Sequence, residues 1–263
     1  MIYNTCKELF KGKEELYNYL NNDLINDIYF KPKKVDKNLI KEKLNNTNYM
    51  NKVKNTIESY KNIDIEELIN KKIKQFEQDT TYKIENYKIY VIIGLDTTTI
   101  YSTKYNDEDI TVLLLESTNG IMETLDMLLA HEYTHFVRKQ IFKRDIFENS
   151  IGERFVVEGI GCNYSREIVP NKEDYIYCIV NKETVEWVKN NIDKVEEHMK
   201  NKTNSNELMR DYFYMFADSS KTGLPPRTGY VYGYLKIKEY LEKNNLKIKD
   251  IIDKEWQNIF NNI

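Results

Sequence analysis

The chain has 263 residues, enough for one large domain or a domain with an appended subdomain, and enough to bury a sizeable core. Its formal net charge is −3 and its lysines and glutamates are interspersed, so no basic stripe indicates a nucleic-acid partner. No apolar run approaches the ~18 residues of a membrane span, and the three cysteines show no C-x-x-C spacing, so we expect reduced thiols in a cytoplasmic protein.

Helical periodicity dominates the N-terminal third of the chain. Apolar residues recur at helical spacing over residues 7–30, and Pro32 is expected to end that helix. Two more helices are predicted over about 37–60 and 64–78. Each is charged on one face, which is typical of a solvated surface. Together they indicate an N-terminal helical region over residues 1–82.

The pattern changes beyond this region. Residues 87–93 and 110–116 are rich in β-branched and aromatic side chains and predict two strands. A turn over residues 117–120 leads into a helix predicted over 121–142. Because the second strand directly precedes this helix, its edge could hold a peptide as an added strand. The alternative is a plain core strand.

The helix predicted over residues 121–142 carries a His-Glu-x-x-His motif, His131-Glu132-x-x-His135. Residues four apart share a helix face, so His131 and His135 can direct two imidazoles at one metal ion. Glu132 lies about 100° further round the helix, where it can take a proton from water bound to that ion. The alternative is a histidine pair without metal. Uncharged flanking residues indicate a buried helix, however, in which ionisable groups need partners.

A third metal ligand is expected on the next helix, predicted over about 150–168. Glu158 shares a helix face with apolar neighbours, where a carboxylate is costly unless it is paired or binds metal. Glu153 competes for this role, because spacing alone does not exclude it. Gly159 and Gly161 weaken a helix but let another backbone approach closely. This pattern suits a helix pressed against the motif helix.

Helical patterns continue to the C-terminal end. Helices are predicted over about 172–200, 205–216 and 248–260. Another predicted helix, before the last of these, ends at about residue 243. The helix predicted over 172–200 contains His198. We expect that histidine to be exposed and without function, because its neighbours are charged.

Glycine and proline are frequent over residues 223–229, just before the helix that runs to about residue 243. Gly229 and Gly233 are four apart and line one helix face, which permits tight packing or leaves room for a substrate. Four side chains here could donate a hydrogen bond to a developing oxyanion: Arg227, Tyr230, Tyr232 and Tyr234. The alternative, loop and core tyrosines in a tyrosine-rich chain, fits this stretch equally well.

Three stretches resemble a bacterial family of predicted zinc-dependent proteases of the gluzincin type: residues 128–138, the Glu158-Gly159 pair, and residues 228–234. The resemblance covers roughly residues 85–260. It implies a zincin-like metallopeptidase domain over residues 83–263. The expected fold class is α+β and predominantly helical, with a small sheet beside the active-site helix, N-terminal helices and a C-terminal helical region.

The resemblance also implies roles for individual residues. His131, His135 and Glu158 would be the zinc ligands, and Glu132 the catalytic base. Arg138 extends the motif in this family and becomes a candidate for supporting the ligands or contacting substrate. Some gluzincins place an aspartate four residues after the ligand glutamate to orient a ligand histidine. Cys162 stands there in this chain, so the partner of at least one histidine is not identified.

The sequence therefore predicts a zinc-dependent peptidase with one Zn²⁺ per chain and a peptide or protein substrate. Three protein ligands leave a coordination position for water, from which Glu132 accepts a proton. Tyr230, with Arg227 or Tyr234 as substitutes, stabilises the tetrahedral oxyanion. Arg227 and Tyr234 are also candidates for contacting substrate. One alternative is a non-catalytic, metal-bound protein of the same fold that binds peptides or serves a structural role. Another is a helical interaction module without metal.

Overall fold

The computed structural model describes residues 1–6, 12–95, 99–118, 122–213 and 222–262. Contacts along the chain divide it into one unit of residues 1–75 and 85–129 and another of residues 76–84 and 130–263. The division expected between residues 82 and 83 stays a prediction, because grouping by contact does not define a folding domain. A membrane-crossing helix is not found in the described part of the chain, where no helix is sufficiently long and apolar.

A four-stranded sheet forms part of the first unit. Its strands are β1 (Ile2–Asn4), β2 (Ile89–Ile92), β3 (Ile100–Tyr105) and β4 (Glu108–Leu114). Strand β4 lies between β2, to which it is parallel, and β3, to which it is antiparallel. Because β4 has partners on both sides, the expectation that its edge accepts a peptide is wrong, and the alternative of a core strand holds.

Strand β3 was not predicted from the sequence. It forms a hairpin with β4 through Asn106 and Asp107, which have φ angles of 50° and 64°. Left-handed backbone at both central residues is what the tight turns of two-residue hairpins require, and Asn and Asp tolerate it. Only Tyr101 of β3 is buried, so the strand lacks the continuous apolar run that reveals its neighbours β2 and β4.

Six α-helices with bounds in the described residues begin in the first unit before the sheet's second strand. They are α1 (Lys13–Leu20), α2 (Asp23–Ile25), α3 (Lys31–Lys33), α4 (Leu39–Asn45), α5 (Thr47–Tyr60) and α6 (Ile65–Thr80), and a π-helix, Asn26–Phe30, joins α2 to α3. Helix α6 confirms its prediction, and Asp64 caps it by accepting a hydrogen bond from the backbone N–H of Glu67 at 3.0 Å. Residues 76–80 of α6 belong to the second unit.

Two of the N-terminal predictions need correction. The helix predicted over 7–30 is interrupted at Asn22, whose side chain caps α2, and residues 7–11 lie outside the described residues. Pro32 lies in the last turn of the continuous helical stretch over residues 23–33, which ends before the left-handed Lys34 (φ 53°).

The single helix predicted over 37–60 is interrupted at Asn46. The side chain of Asn46 instead caps α5 by accepting a hydrogen bond from the backbone N–H of Tyr49 at 3.0 Å.

The second unit is helical in its described residues. Its helices are α7 (Met122–Phe142), which begins in the first unit, α8 (Ile151–Ile168), α9 (Asp174–Cys178), α10 (Lys182–Asn190), α11 (Ile192–Met199), α12 (Met209–Phe213), α13 (Thr228–Asn244) and α14 (Trp256–Phe260). Helices α7, α8 and α13 confirm their predictions. The predicted start of α7, Ile121, and residues 214–216 of the predicted 205–216 helix lie outside the described residues.

Two C-terminal predictions are wrong. The segment 172–200 forms three short helices, α9 to α11, rather than one. The segment 248–260 is a 3-10 turn (Ile248–Asp250) followed by α14, because the carbonyls of Ile252 and Lys254 between them accept hydrogen bonds from Arg138. A continuous helix would have used those carbonyls internally.

Helices α8 and α13 pack backbone to backbone. A Cβ added to Gly159 would meet the carbonyl oxygen of Gly233, and one added to Gly233 would meet the carbonyl oxygen of Phe155. A Cβ at Gly229 would lie 2.6 Å from the ring of Phe213. The glycine face of α13 is therefore filled by protein, so of the two predicted uses it serves tight packing.

Candidate metal centre

The two motif histidines lie on successive turns of α7. His131 is 6% exposed and His135 is 3% exposed. Their ring centroids are 4.7 Å apart and the rings are almost perpendicular. The nearest donor atoms of His131, Glu132 and His135 all lie within 4.8 Å of one another. The helical spacing of the motif therefore brings two imidazoles and one carboxylate together in a buried place.

Glu158 reaches both histidines from α8. Its Oε2 atom lies 3.1 Å from Nε2 of His131 and 3.6 Å from Nε2 of His135. Two atoms that are each ~2.0–2.1 Å from a zinc ion at the tetrahedral angle lie about 3.3 Å apart. The two separations from Oε2, 3.1 and 3.6 Å, lie close to this value on either side.

The absence of a side chain at Gly161 makes this approach possible. A Cβ at that position would lie 2.8 to 2.9 Å from three atoms of the His131 ring. Such a separation is too short for a carbon atom, so the ring would have to move. The predicted close approach of α8 to the motif helix is therefore found at Gly161, whereas Gly159 packs against α13.

The buried carboxylate and the two imidazoles have shifted pKa values. Burial raises the pKa of Glu158, but the charge of Arg154 and hydrogen bonds from both histidines outweigh this effect and hold it well below its usual range. Burial lowers the pKa of His131, but contacts with Cys162 and Glu158 raise it to about 10. Burial dominates at His135 and lowers its pKa. Without metal, the two imidazoles together therefore carry one positive charge at neutral pH.

Cys162 stands against His131, at the position where some gluzincins have an aspartate. Its thiol contacts both His131 and the thiol of Cys178, and burial raises its pKa well above the usual range. The neutral thiol cannot supply the charge of a carboxylate. In the part of the chain that the structure describes, Nδ1 of His135 has no hydrogen-bond partner.

Arg154 is a residue of the centre that the sequence analysis missed. Its Nε atom lies 2.8 Å from Oε1 of Glu158, the oxygen that faces away from the histidines. Arg154 precedes Glu158 by four residues on α8, a spacing that favours ion pairs on a helix. That spacing was the available signal, but a buried ion pair cannot be told from a surface pair by spacing alone.

Tyr230 of α13 lies beside this ion pair. Burial and the charge of Glu158 raise the pKa of the Tyr230 phenol, while Arg154 and Arg227 oppose the shift. The hydroxyl therefore keeps its proton at neutral pH and can donate a hydrogen bond. Arg227 lies over the Tyr230 ring at 4.2 Å and donates a hydrogen bond to the carbonyl of Ile179 at 2.6 Å.

Other candidate residues have contacts away from the histidines. Arg138 is fully buried, and its Nη1 donates to the carbonyl oxygens of Ile252 and Lys254 at 2.9 and 3.1 Å. Tyr234 donates a hydrogen bond to Asp174 at 2.7 Å. Arg138 thus holds a C-terminal loop, and Tyr234 joins α13 to α9.

Two further residues weighed in the sequence analysis also have other partners. Tyr232 donates to Glu196 at 3.4 Å. His198, expected to be exposed, is partly buried, with its Nδ1 atom 3.1 Å from the hydroxyl of Tyr212. The histidine packs at the edge of an aromatic cluster, so the expectation that it is exposed is wrong.

The family comparison agrees with this geometry. A family model described as "Predicted Zn-dependent protease (DUF2268)" matches residues 64–261, which is most of the chain. The chain belongs to this family, and the resemblance inferred from the motifs is confirmed. No curated protein and no solved structure matches the chain.

Proposed function

We propose that this member of the predicted Zn-dependent protease family is a peptidase that uses one zinc ion held by His131, His135 and Glu158. The observation that carries the proposal is the convergence of two Nε2 atoms and one Oε2 atom at separations of 3.1 and 3.6 Å. Zinc bound there would polarise a peptide carbonyl and lower the pKa of the attacking water. Three protein ligands are also the number typical of catalytic zinc sites.

Glu132 is the general base in this proposal. Its side chain is 5% exposed and lies within 4.8 Å of the ligand atoms of both histidines. Since the adjacent His131 is a ligand, Glu132 is turned about 100° from it round the helix. It accepts a proton from the attacking water and delivers it to the leaving amine.

Tyr230 is the proposed donor to the oxyanion of the tetrahedral intermediate. Its phenol is protonated and lies beside Glu158, so it borders the proposed ligand set. A fixed hydroxyl at the place where negative charge develops stabilises the transition state more than the substrate. Arg227, stacked on the Tyr230 ring, restrains that side chain.

The substitution Glu132→Gln tests this function. Zinc content is measured by elemental analysis, and hydrolysis by mass spectrometry of a mixed peptide library. We expect about one zinc per chain in both proteins and a loss of hydrolysis of at least about 10²-fold in the variant, as expected for a missing general base. Glu123→Gln, on an exposed turn of the same helix, is the matched control and should cleave normally.

Three outcomes would contradict the proposal. Normal cleavage by the Glu132→Gln variant would remove the general base from the mechanism. A wild-type protein that contains no zinc after purification without a metal-binding tag would remove the metal centre. Full zinc occupancy with peptide binding but no cleavage would instead favour the non-catalytic alternative.

A further inference from the structure

The two oxygens of Glu158 face different partners. Oε2 points to the ring nitrogens of His131 and His135, at 3.1 and 3.6 Å. Oε1 is 2.8 Å from Nε of Arg154. The side chain of Glu158 is 3% exposed, so water hardly competes for either oxygen. The carboxylate is thus divided between a proposed metal position and a fixed cation.

Arg154 is itself held from several sides. Its guanidinium lies over the rings of Phe147 and Phe213, at 4.6 and 5.1 Å from their centroids. Its Nη1 atom donates a hydrogen bond to the carbonyl oxygen of Phe147 at 3.3 Å. Only 15% of the side chain is exposed. These contacts fix the direction from which the positive charge meets Glu158.

We propose that Arg154 is a positioning residue that keeps Glu158 a one-oxygen zinc ligand. This inference rests on the proposed zinc site. A carboxylate can bind a metal through one oxygen or through both. Because Arg154 occupies Oε1, turning that oxygen toward zinc would leave a buried guanidinium without its partner, which is costly. Binding through Oε2 alone leaves a coordination position for water.

The aromatic contacts make arginine the suitable residue for this role. Nε of Arg154 forms an ion pair with Glu158 but no hydrogen bond, so the position of the charge matters more than an N–H direction. A planar guanidinium stacks on aromatic rings, and Phe147 and Phe213 hold it in one place. A lysine ammonium is a compact charge on a flexible stem that the two rings would hold less firmly, so it would neutralise Glu158 without keeping the charge at Oε1. The structure therefore predicts that charge alone does not restore the site.

The test compares Arg154→Met, Arg154→Lys and wild-type protein. Zinc affinity is measured by competition with a chromogenic chelator, and the zinc–oxygen shell by X-ray absorption spectroscopy. We expect Arg154→Met to weaken zinc binding by roughly 10–100-fold, as loss of a group that orients a metal ligand typically does. Its zinc shell should gain a second carboxylate oxygen. Arg154→Lys should show the same changes to a smaller degree.

Arg166→Met is the matched control, because Arg166 lies on the same helix but pairs with Glu242 at the surface. It should leave affinity and the zinc shell unchanged. Wild-type affinity and an unchanged shell in both Arg154 variants would overturn the inference, and Arg154→Lys alone decides if Arg154→Met does not fold by circular dichroism. A wild-type protein that binds no zinc would instead refute the proposed function.

Discussion

Helix α8 carries two buried glutamates, Glu153 and Glu158, that are 0% and 2% exposed. Both were candidate metal ligands, but their surroundings differ. Glu153 accepts hydrogen bonds from Arg144 and Asn149, each at 2.7 Å. Glu158 has one arginine at Oε1 and two imidazoles at Oε2. The residues are five apart, about 140° round the helix, so they face different neighbours.

The two glutamates differ in whether the groups that face them can release a proton. The groups around Glu153 are guanidinium and amide donors, which keep their protons at any ordinary pH. An imidazole nitrogen, in contrast, can offer either an N–H or a lone pair. Burial of a carboxylate is therefore a poor sign of metal binding, and the chemistry of the facing atoms is a better one.

The largest expected effect is a difference in zinc affinity between variants of the two glutamates. Glu158→Gln should weaken zinc binding by more than about 100-fold, since loss of a ligand exceeds the loss of a group that supports one. Glu153→Gln makes the same chemical change on the same helix and should stay within about twofold of wild type. Chelator competition measures both. Equal losses in the two variants would break the comparison.

For stability we expect the reverse order, in which the substitution of Glu153 matters more than that of Glu158. Glu153→Gln removes one of the two carboxylates that pair with Arg144, which keeps Glu255, and it also removes a negative charge near the buried Arg138. Leaving a buried charge without a partner costs about 3–5 kcal/mol. Because Arg144 is partly exposed and keeps Glu255, we expect a smaller loss of about 1–2 kcal/mol, similar to that of a charged hydrogen bond. Urea denaturation of zinc-loaded protein should show this loss. A change below about 0.5 kcal/mol would mean that the Glu153 cluster contributes little.

A smaller effect is expected from Gly161→Ala. The added methyl group would displace the His131 ring, whose atoms lie within 2.8 to 2.9 Å of its position. Zinc affinity should fall about tenfold, comparable to disturbing the support of a ligand. Gly12→Ala is the control, because no atom lies within 4 Å of its added Cβ. Unchanged zinc binding in Gly161→Ala would show that α8 can move away from His131 without weakening zinc binding.

The smallest expected effect is the release of a single proton when zinc binds. The pKa of His131 is raised to about 10, so protein stripped of metal holds that proton at pH 7, and zinc must displace it. Zinc affinity should therefore rise with pH, about tenfold per unit, until pH approaches 10. Isothermal titration calorimetry in two buffers of different ionisation enthalpy counts the released proton. Release of none at pH 7 would contradict the raised pKa.

The sequence was most informative where one helix carries the relation between residues. His131 and His135 are joined by helical spacing, and apolar neighbours identified Glu158 as a buried carboxylate. The contacts of Arg138 illustrate the limit, because its acceptor Ile252 is 114 residues away. No local pattern encodes that pairing, and it is also what interrupts the helix predicted over 248–260.

The role of Arg154 was hidden for a related reason. The four-residue spacing to Glu158 was visible, but an exposed pair of this kind contributes little. Its importance comes from Phe147 and Phe213, which bury the guanidinium and lie on separate segments. Strand β3 was missed because most of its residues are only partly buried, although the Asn106-Asp107 turn was a usable signal.

The glycine contact between α8 and α13 has a consequence for remodelling this protein. The proposed ligand Glu158 adjoins Gly159 on α8, and Tyr230 lies less than one turn from Gly233 on α13. The two backbones meet at these glycines, and Ile237 fills the space beside Gly159, so a side chain added at either glycine would push the helices apart. Directed evolution of a new cleavage preference should therefore accumulate changes in surrounding loops, while this helix pair stays invariant.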